Sequence, residues 1–335
     1  MAAHRQLVQR QRIPRNFRDR SNPLEELTAD EVFARYRFHP DTIMDLLRRL
    51  PDLSSPTQRN IPVPPLLQVL VTLRFLGTGA THILVGDDIK ISRSTAGRCI
   101  RRVSSLTAEL APQFISFPRG DRARQVMVEF SHISGFPRVL GCIDGTHIRI
   151  TKPSGPQEAD FVNRKQYHSL NVQMVCDPSF KIKSISCNWP GATHDNRIFK
   201  MSALCQQFEQ GDHDGLLLGD SGYQCRPFLM TPFVNPANES EKRYNNSLCR
   251  TRVLIEQTFG FLKKRFQCLY LLRTKPDVAV MYIKAAVTLH NYGIERGEVL
   301  EAQQNVVQQV NDVDPCPAGG DGYAMRAHIV RTFFS

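Results

Sequence analysis

The stretch LLLGDSGY, Leu216 to Tyr223, decides how the rest of this 335-residue chain is read. Three consecutive leucines have the pattern of a short strand buried on both faces, as in parallel sheets. The run ends on Gly219-Asp220-Ser221-Gly222, where two reactive side chains stand together. In open α/β sheets the carboxyl ends of strands are where sites form. Asp220 as a metal-binding carboxylate points to chemistry on nucleic acids. Ser221 as a nucleophile points to ester or peptide hydrolysis. A charge directly after three leucines needs a partner, and that partner has to be sought on either side.

Upstream, the texture changes at Gly135-Phe136-Pro137. RVLGCIDGTHIRI (138–150) has the pattern of a central strand interrupted by glycine at Asp144, and LNVQMVCD (170–177) alternates with period two. Asp177-Pro178-Ser179 makes a turn, and FKIKSISCNW (180–189) returns as a strand. HDNRIFKMSALCQQFEQG then predicts one helix ended by Gly211. Downstream, FLMTPF (228–233) is strand-like and 237–247 has the composition of a polar loop. A long helix is expected from Arg250 to about Phe266, and an apolar helix over Val278 to Tyr292. The order β-β-β-α-β-(β)-α is a mixed sheet with helices against it.

The acidic residues that this order gathers are Asp144, Asp195, Asp220 and Glu256. Asp144 and Asp220 sit on strands that, if neighbours, aim two carboxylates at one cleft. Glu256 lies at the edge of the helical stripe Ile255, Phe259, Leu262, Phe266, within reach of the sheet end. Clustered carboxylates repel unless a cation is present. A pair of Mg²⁺ ions resolves this and clamps the oxygens of a phosphodiester. Each acid also has a bland reading: Asp144-Gly145 as a turn or bulge pair, Asp195 as a helix N-cap, and Glu256 as the i,i+4 partner of Arg252. The serine reading is weaker. Tyr223 stands where a trypsin-like enzyme or a nucleophile elbow requires glycine, and no spacing favours His168 or His194 as its base. There is also no His-Glu-x-x-His, no Cys-x-x-Cys and no phosphate-binding glycine loop.

From Asn22 to about Leu110 the pattern is helical. Thr28 and Glu31 fit a capping box, a helix is expected from Asp41, and IPVPP (61–65) leads into another over Leu66 to Leu76. A short helix carrying Ile83, Leu84 and Val85, a break near Lys90, and a basic helix capped by Ser92 form a helix-turn-helix layout. Arg93, Arg98, Arg101 and Arg102 on the second helix are its candidate DNA contacts. A solvated arginine face on a packing domain is the plain alternative. The net charge of +11 suits a polyphosphate partner, and six arginines crowd the first twenty residues. Nine scattered cysteines inside apolar runs imply reduced thiols. No apolar run is long enough to span a membrane, so a soluble intracellular protein is expected.

CIDGTHIRI, FVNRKQYHSLNVQMVCD, NWPGATHDNRIF, LLLGDSGY and RVLIEQTFGFLKKRF, in this order from about Val139 to Tyr292, closely resemble Harbinger-type DDE transposases and the nucleases derived from them. LRFLGTGATHILVGDDIKISRSTAGRCIRRV resembles that family's helix-turn-helix region more loosely. The resemblance implies an α/β fold with a ribonuclease-H-like mixed-sheet catalytic core, preceded by an all-α region containing the helix-turn-helix. It implies Asp144, Asp220 and Glu256 as the catalytic acids, with Asp195 at a further metal position. Thirty-five residues separate Asp220 from Glu256, a spacing usual in such enzymes. Arg252, Lys263 and Lys264 are candidate phosphate contacts. The expected divisions are a basic arm (1–22), the all-α region (23–110), a bridging helix (111–134), the catalytic domain (135–295) and a loosely ordered tail (296–335).

The implied activity is metal-dependent hydrolysis of DNA phosphodiesters with Mg²⁺ or Mn²⁺, either as a transposase or as a nuclease derived from one. The alternative is a domesticated DNA-binding or scaffold protein without relevant catalysis. The implied partners are DNA, a Myb-like DNA-binding protein that offers a route to the nucleus, and a second copy of the chain. Nucleus and cytoplasm are the expected locations.

Overall fold

The computed structural model describes residues 20–51, 53–54, 62–298 and 321–335. Most of the basic arm, part of the IPVPP joint and residues 299–320 of the tail lie outside them. In chain order the helices are α1 (Pro23–Glu26), α2 (Ala29–Tyr36), α3 (Pro40–Arg49), α4 (Pro65–Thr78), α5 (His82–Asp87), α6 (Arg93–Glu109), α7 (Ala111–Phe114) and α8 (Gly120–Ser134). There follow β1 (Val139–Ile150), β2 (Ser169–Cys176), β3 (Ile182–Pro190), α9 (Asp195–Lys200), α10 (Ala203–Glu209), β4 (Leu216–Leu218) and β5 (Leu229–Met230). The chain closes with α11 (Glu239–Arg265), β6 (Leu271–Leu272), α12 (Pro276–Glu295) and α13 (Gly322–Phe333).

The strands form one mixed sheet in the order β3-β2-β1-β4-β5, with β6 also on β1. β1, β2 and β3 are antiparallel neighbours, while β4 and β6 run parallel to β1. This is the expected α/β arrangement. The other edge of β1 carries β4 over Val139–Cys142 and β6 over Arg149–Ile150. Between those partners, residues 143–148 have no neighbouring strand on that edge among the described residues. The sheet therefore has a gap in its middle, and the gap opens where β4 stops.

Local chemistry explains several elements. Thr28 Oγ1 and the Glu31 carboxylate cap α2 reciprocally, as expected. Ser92 caps α6 by accepting from Thr95 N, and Lys90 turns the chain ahead of it with a positive φ of 57°. Asp177 Oδ1 accepts from Ser179 N and Lys181 N, closing the β2–β3 hairpin. The faces of β1 alternate: Cys142, Ile148 and Ile150 join the core beneath α11 and α12, while Ile143 packs with Val175, Phe199 and Leu217 on the side of α9 and α10.

Five sequence expectations are corrected. β1 runs unbroken through Asp144-Gly145, because Met174 and Gln173 pair with them in regular register. The expected helix to Gly211 is two, α9 and α10, divided at Ser202, which caps the second by accepting from Cys205 N. FLMTPF keeps only Leu229–Met230 as strand. The polar segment 237–247 is helical except at its start, because Asn238 caps α11 and Tyr244 and Leu248 are buried. The last residues of the tail form α13, whose Arg326 lies over the Phe233 ring while Phe334 packs on Phe136 and Tyr244.

Candidate active site

The register of the sheet sets the first two acids. Cys142 of β1 pairs with Leu218 of β4. Two residues beyond that pair stand Asp144 and Asp220, so both carboxylates leave adjacent chains at the same height, at the mouth of the gap. Asp220 Oδ1 accepts from Gly222 N at 2.9 Å, and Ser221-Gly222 is the turn that carries the chain away. Ser221 is buried, and among the described residues no histidine hydrogen-bonds its Oγ.

Glu256 comes from α11, whose stripe Ile255, Phe259, Leu262 and Phe266 is buried as the spacing predicts. It is joined to the strand acids through Arg252. The guanidinium lies 2.9 Å from Glu256 Oε1 and 3.3 Å from Asp144 Oδ2. The i,i+4 pair is thus real, and the same side chain also serves the sheet. Burial works against the charge of Arg252, yet Asp144, Glu256 and Asp220 together hold its proton affinity above the ordinary arginine value.

Asp195 arrives from the opposite face of β1, as the first residue of α9. Its carboxylate packs on Gly145: a Cβ there would lie 2.2 Å from Asp195 Oδ1. Asn171 Nδ2 donates to the same oxygen at 2.7 Å, and Gln173 Nε2 donates to Asp195 O and to Tyr223 OH. From sequence Gly145 reads only as the turn or bulge partner of Asp144, and Asn171 and Gln173 carry no assigned role. The available signal was two amides at alternate positions of β2, a strand that is wholly buried. Buried polar groups of that kind need specific partners.

The carboxylates feel one another. Burial, followed by the charge of Asp220, raises Asp144 from 3.8 to about 7, with Asp195 adding to the rise and Arg252 and the Gly145 N–H opposing it. Asp195 is raised by burial and by Asp220, against the hydrogen bond from Asn171. Donors of this kind, all carboxylate oxygen and short of positive charge, suit a hard dication such as Mg²⁺ or Mn²⁺. Among the described residues no three His, Cys, Asp or Glu side chains form a closed ligand group. The guanidinium of Arg252 stands between Asp144 and Glu256 on the α11 side, while Asp195 comes from the α9 side.

The basic candidates divide. Lys263 Nζ donates to Thr146 Oγ1 at 2.7 Å and to His147 O at 3.3 Å, so it is tied to β1. Lys264 is exposed, as are Arg93, Arg98, Arg101 and Arg102. Arg102 is engaged by Leu53 O at 3.1 Å, and Arg98 by Thr95 Oγ1 at 3.3 Å. Arg265, which follows Lys264, is fully buried over the Phe38 ring. Beside Asp195 and Asp220 opens a cavity of about 460 Å³, lined also by His147, Arg164, Asn171 and His194.

Comparison with known proteins gives consistent results. The sequence model of the family described as DDE superfamily endonuclease matches residues 143–291. The chain is 37% identical over 281 residues to "Putative nuclease HARBI1" of Homo sapiens, covering 82% of this chain and 80% of that protein. The Xenopus laevis protein of the same name is 32% identical over 325 residues, covering 93% and 92%. "Protein ALP1-like" of Arabidopsis thaliana is 25% identical over 260 residues, covering 72% and 64%. No solved structure gives a significant match.

Proposed function

Because the chain belongs to the family of Harbinger transposase-derived nucleases, of the DDE endonuclease superfamily, we propose that it is a divalent-metal-dependent DNA nuclease. The observation that carries this reading is that Arg252 ion-pairs with both Asp144 and Glu256 at the gap in β1, where the charge of Asp220 also acts on it and on Asp144, with Asp195 entering through Gly145. Asp144, Asp220 and Glu256 would hold the cation, with Asp195 joining across the gap. Mg²⁺ or Mn²⁺ bound there supplies charge neutralisation at the phosphodiester and acidifies an attacking water.

The rest is done by the chain itself. Arg252 fixes the directions of Asp144 and Glu256. Asn171 and Gln173 hold Asp195 and the start of α9. Lys263 secures the β1 segment that bears Asp144, and Lys264 is placed for phosphate contact. The division of the chain at 22, 110, 134 and 295 belongs to the same reading, with α5, the turn at Lys90 and α6 as a helix-turn-helix offering its exposed arginines to a groove. So do a Myb-like partner protein, a second copy of the chain, and residence in nucleus and cytoplasm.

The test is nicking of supercoiled plasmid with Mg²⁺ or Mn²⁺. Asp220→Asn and Glu256→Gln should each lower the rate on the order of 100-fold or more, equivalent to about 2.7 kcal/mol. Chelation should stop the reaction. Cleavage that survives both substitutions or needs no metal defeats the proposal. DNA binding with no cutting by the wild type would instead leave a scaffold role.

A further inference from the structure

A second cavity, of about 350 Å³, opens between the α4–α5 turn, α6 and the turn from β6 into α12. Leu271 of β6, which lines it, pairs with Arg149, five residues beyond Asp144 on β1. At roughly 3.3 Å per residue that wall begins about 17 Å along the strand from the acid. The walls are tied together. Gly79 ends α4 with a φ of 65° and lies so close to Cys268 that a Cβ would stand 3.1 Å from its Cα. The Gly79 carbonyl accepts from Arg273 Nη1 at 3.1 Å. The His82 ring rests on Gly97 of α6, where a Cβ would stand 3.0 Å from Nδ1. Phe75 meets the His82 and Tyr282 rings edge-on.

Two chemistries share this cavity. Its wall is largely apolar, built by Phe75, Ala80, Ile83, Leu271 and Tyr282. Ile83 is 53% exposed and its neighbour Leu84 59%, so apolar surface continues outward from the mouth. Its rim is cationic: the exposed Arg93, Arg101 and Arg273 line it, and no aspartate or glutamate does. Among the described residues Arg93 has no hydrogen-bond or ion-pair partner. Burial, followed by the charges of Arg93 and Arg101, lowers the His82 pKa, so that ring stays neutral near pH 7. Like charges gathered without a counter-charge favour an anion. A nucleic-acid backbone would satisfy the rim but has nothing to lay on the apolar wall. An acidic peptide does both, because one large apolar side chain serves as its anchor and the acids beside it meet the arginines.

We propose that this cavity is the docking site of a partner protein, which inserts one aromatic or long aliphatic side chain between α5 and α12 and sets flanking Asp or Glu on Arg93, Arg101 and Arg273. This assigns Arg93 and Arg101 to protein rather than DNA and leaves Arg98 and Arg102 for a groove. The site lies clear of Asp144, Asp220 and Glu256, and the proposal stands whether or not the chain cuts DNA.

The experiment selects displayed random peptides on the full chain at physiological salt, then measures the enriched peptides by fluorescence polarisation. They should share a Phe, Trp, Leu or Ile beside Asp or Glu. Changing that apolar residue to Ala should weaken binding about tenfold or more. So should Arg93→Glu, and so should Thr81→Trp, which fills the cavity from an exposed position on its wall. Failure to enrich such peptides overturns the proposal. Binding that survives both variants, or the loss of the anchor, also overturns it, leaving only general attraction to a chain of charge +11. A DNA duplex that displaces the peptides and is itself weakened by Thr81→Trp would give the cavity to DNA. A dimer that Thr81→Trp converts to monomer, seen by light scattering, would give it to a second copy. Either result overturns the proposal. Nicking without peptide selection loses this site alone, and selection without nicking loses the nuclease reading alone.

Discussion

Asp144→Asn should make the protein more stable as pH rises, relative to wild type. The Asp144 carboxyl titrates at about 7 in the fold against 3.8 ordinarily, because burial and the charge of Asp220 outweigh Arg252. At low pH it is protonated in both folded and unfolded chains and costs nothing. Above 3.8 the unfolded chain ionises first, so wild-type stability falls until the folded carboxyl also ionises near 7. The full cost is about 4 kcal/mol at 1.36 kcal/mol per pH unit. Between pH 4.5 and 8 about 3 kcal/mol of it develops. Asparagine does not titrate, so any fixed cost of its altered contact with Arg252 cancels from the comparison. Calorimetry in chelator should show the melting temperature of Asp144→Asn gaining about 4 °C on wild type over that interval, given roughly 2.1 cal/mol/K of unfolding entropy per residue. A difference that stays constant with pH, or that grows toward acid, would refute the account of Asp144 as a carboxylate strained by burial.

Two further outcomes follow from packing. Gly145→Ala places a Cβ 2.2 Å from Asp195 Oδ1 and must displace that carboxylate from Asn171. It should slow plasmid nicking about tenfold or more and cost about 1–3 kcal/mol in stability; full activity would show that Asp195 is not needed where it lies. Truncation before Asp321 removes the buried Ile329, Val330 and Phe334 and uncovers Phe136 and Tyr244. The loss should be on the order of 5 kcal/mol, seen as a lower melting temperature, and an unchanged melt would mean that α13 is not docked.

The acids and the strands that bear them could be read from sequence because their signals are local: three leucines before Asp220, alternation in β2, and a helical stripe ahead of Glu256. Features that depend on distant contacts could not. The start of α11 looks like a loop until Asn238 caps it and Tyr244 finds the core. α13 is held by rings from three separate segments, and nothing in its own composition announces them. Likewise, the reach of Arg252 to Asp144 spans 108 positions, so sequence showed only its pairing with Glu256. Gly145 looked like a turn residue, whereas its lack of a side chain admits Asp195 from the far side of the sheet.

The gap in the sheet has one more consequence. Bare backbone at a strand edge invites another chain to add itself as a strand, the usual route to aggregation. Residues 143–148 expose about 20 Å of such edge at roughly 3.3 Å per residue. Two of its backbone groups are already taken: Gly145 N donates to Asp144 Oδ1, and His147 O accepts from Lys263. An incoming strand would have to displace both a carboxylate and an ammonium group. The charges assigned to the proposed catalytic site therefore also guard the chain against polymerising with its own copies.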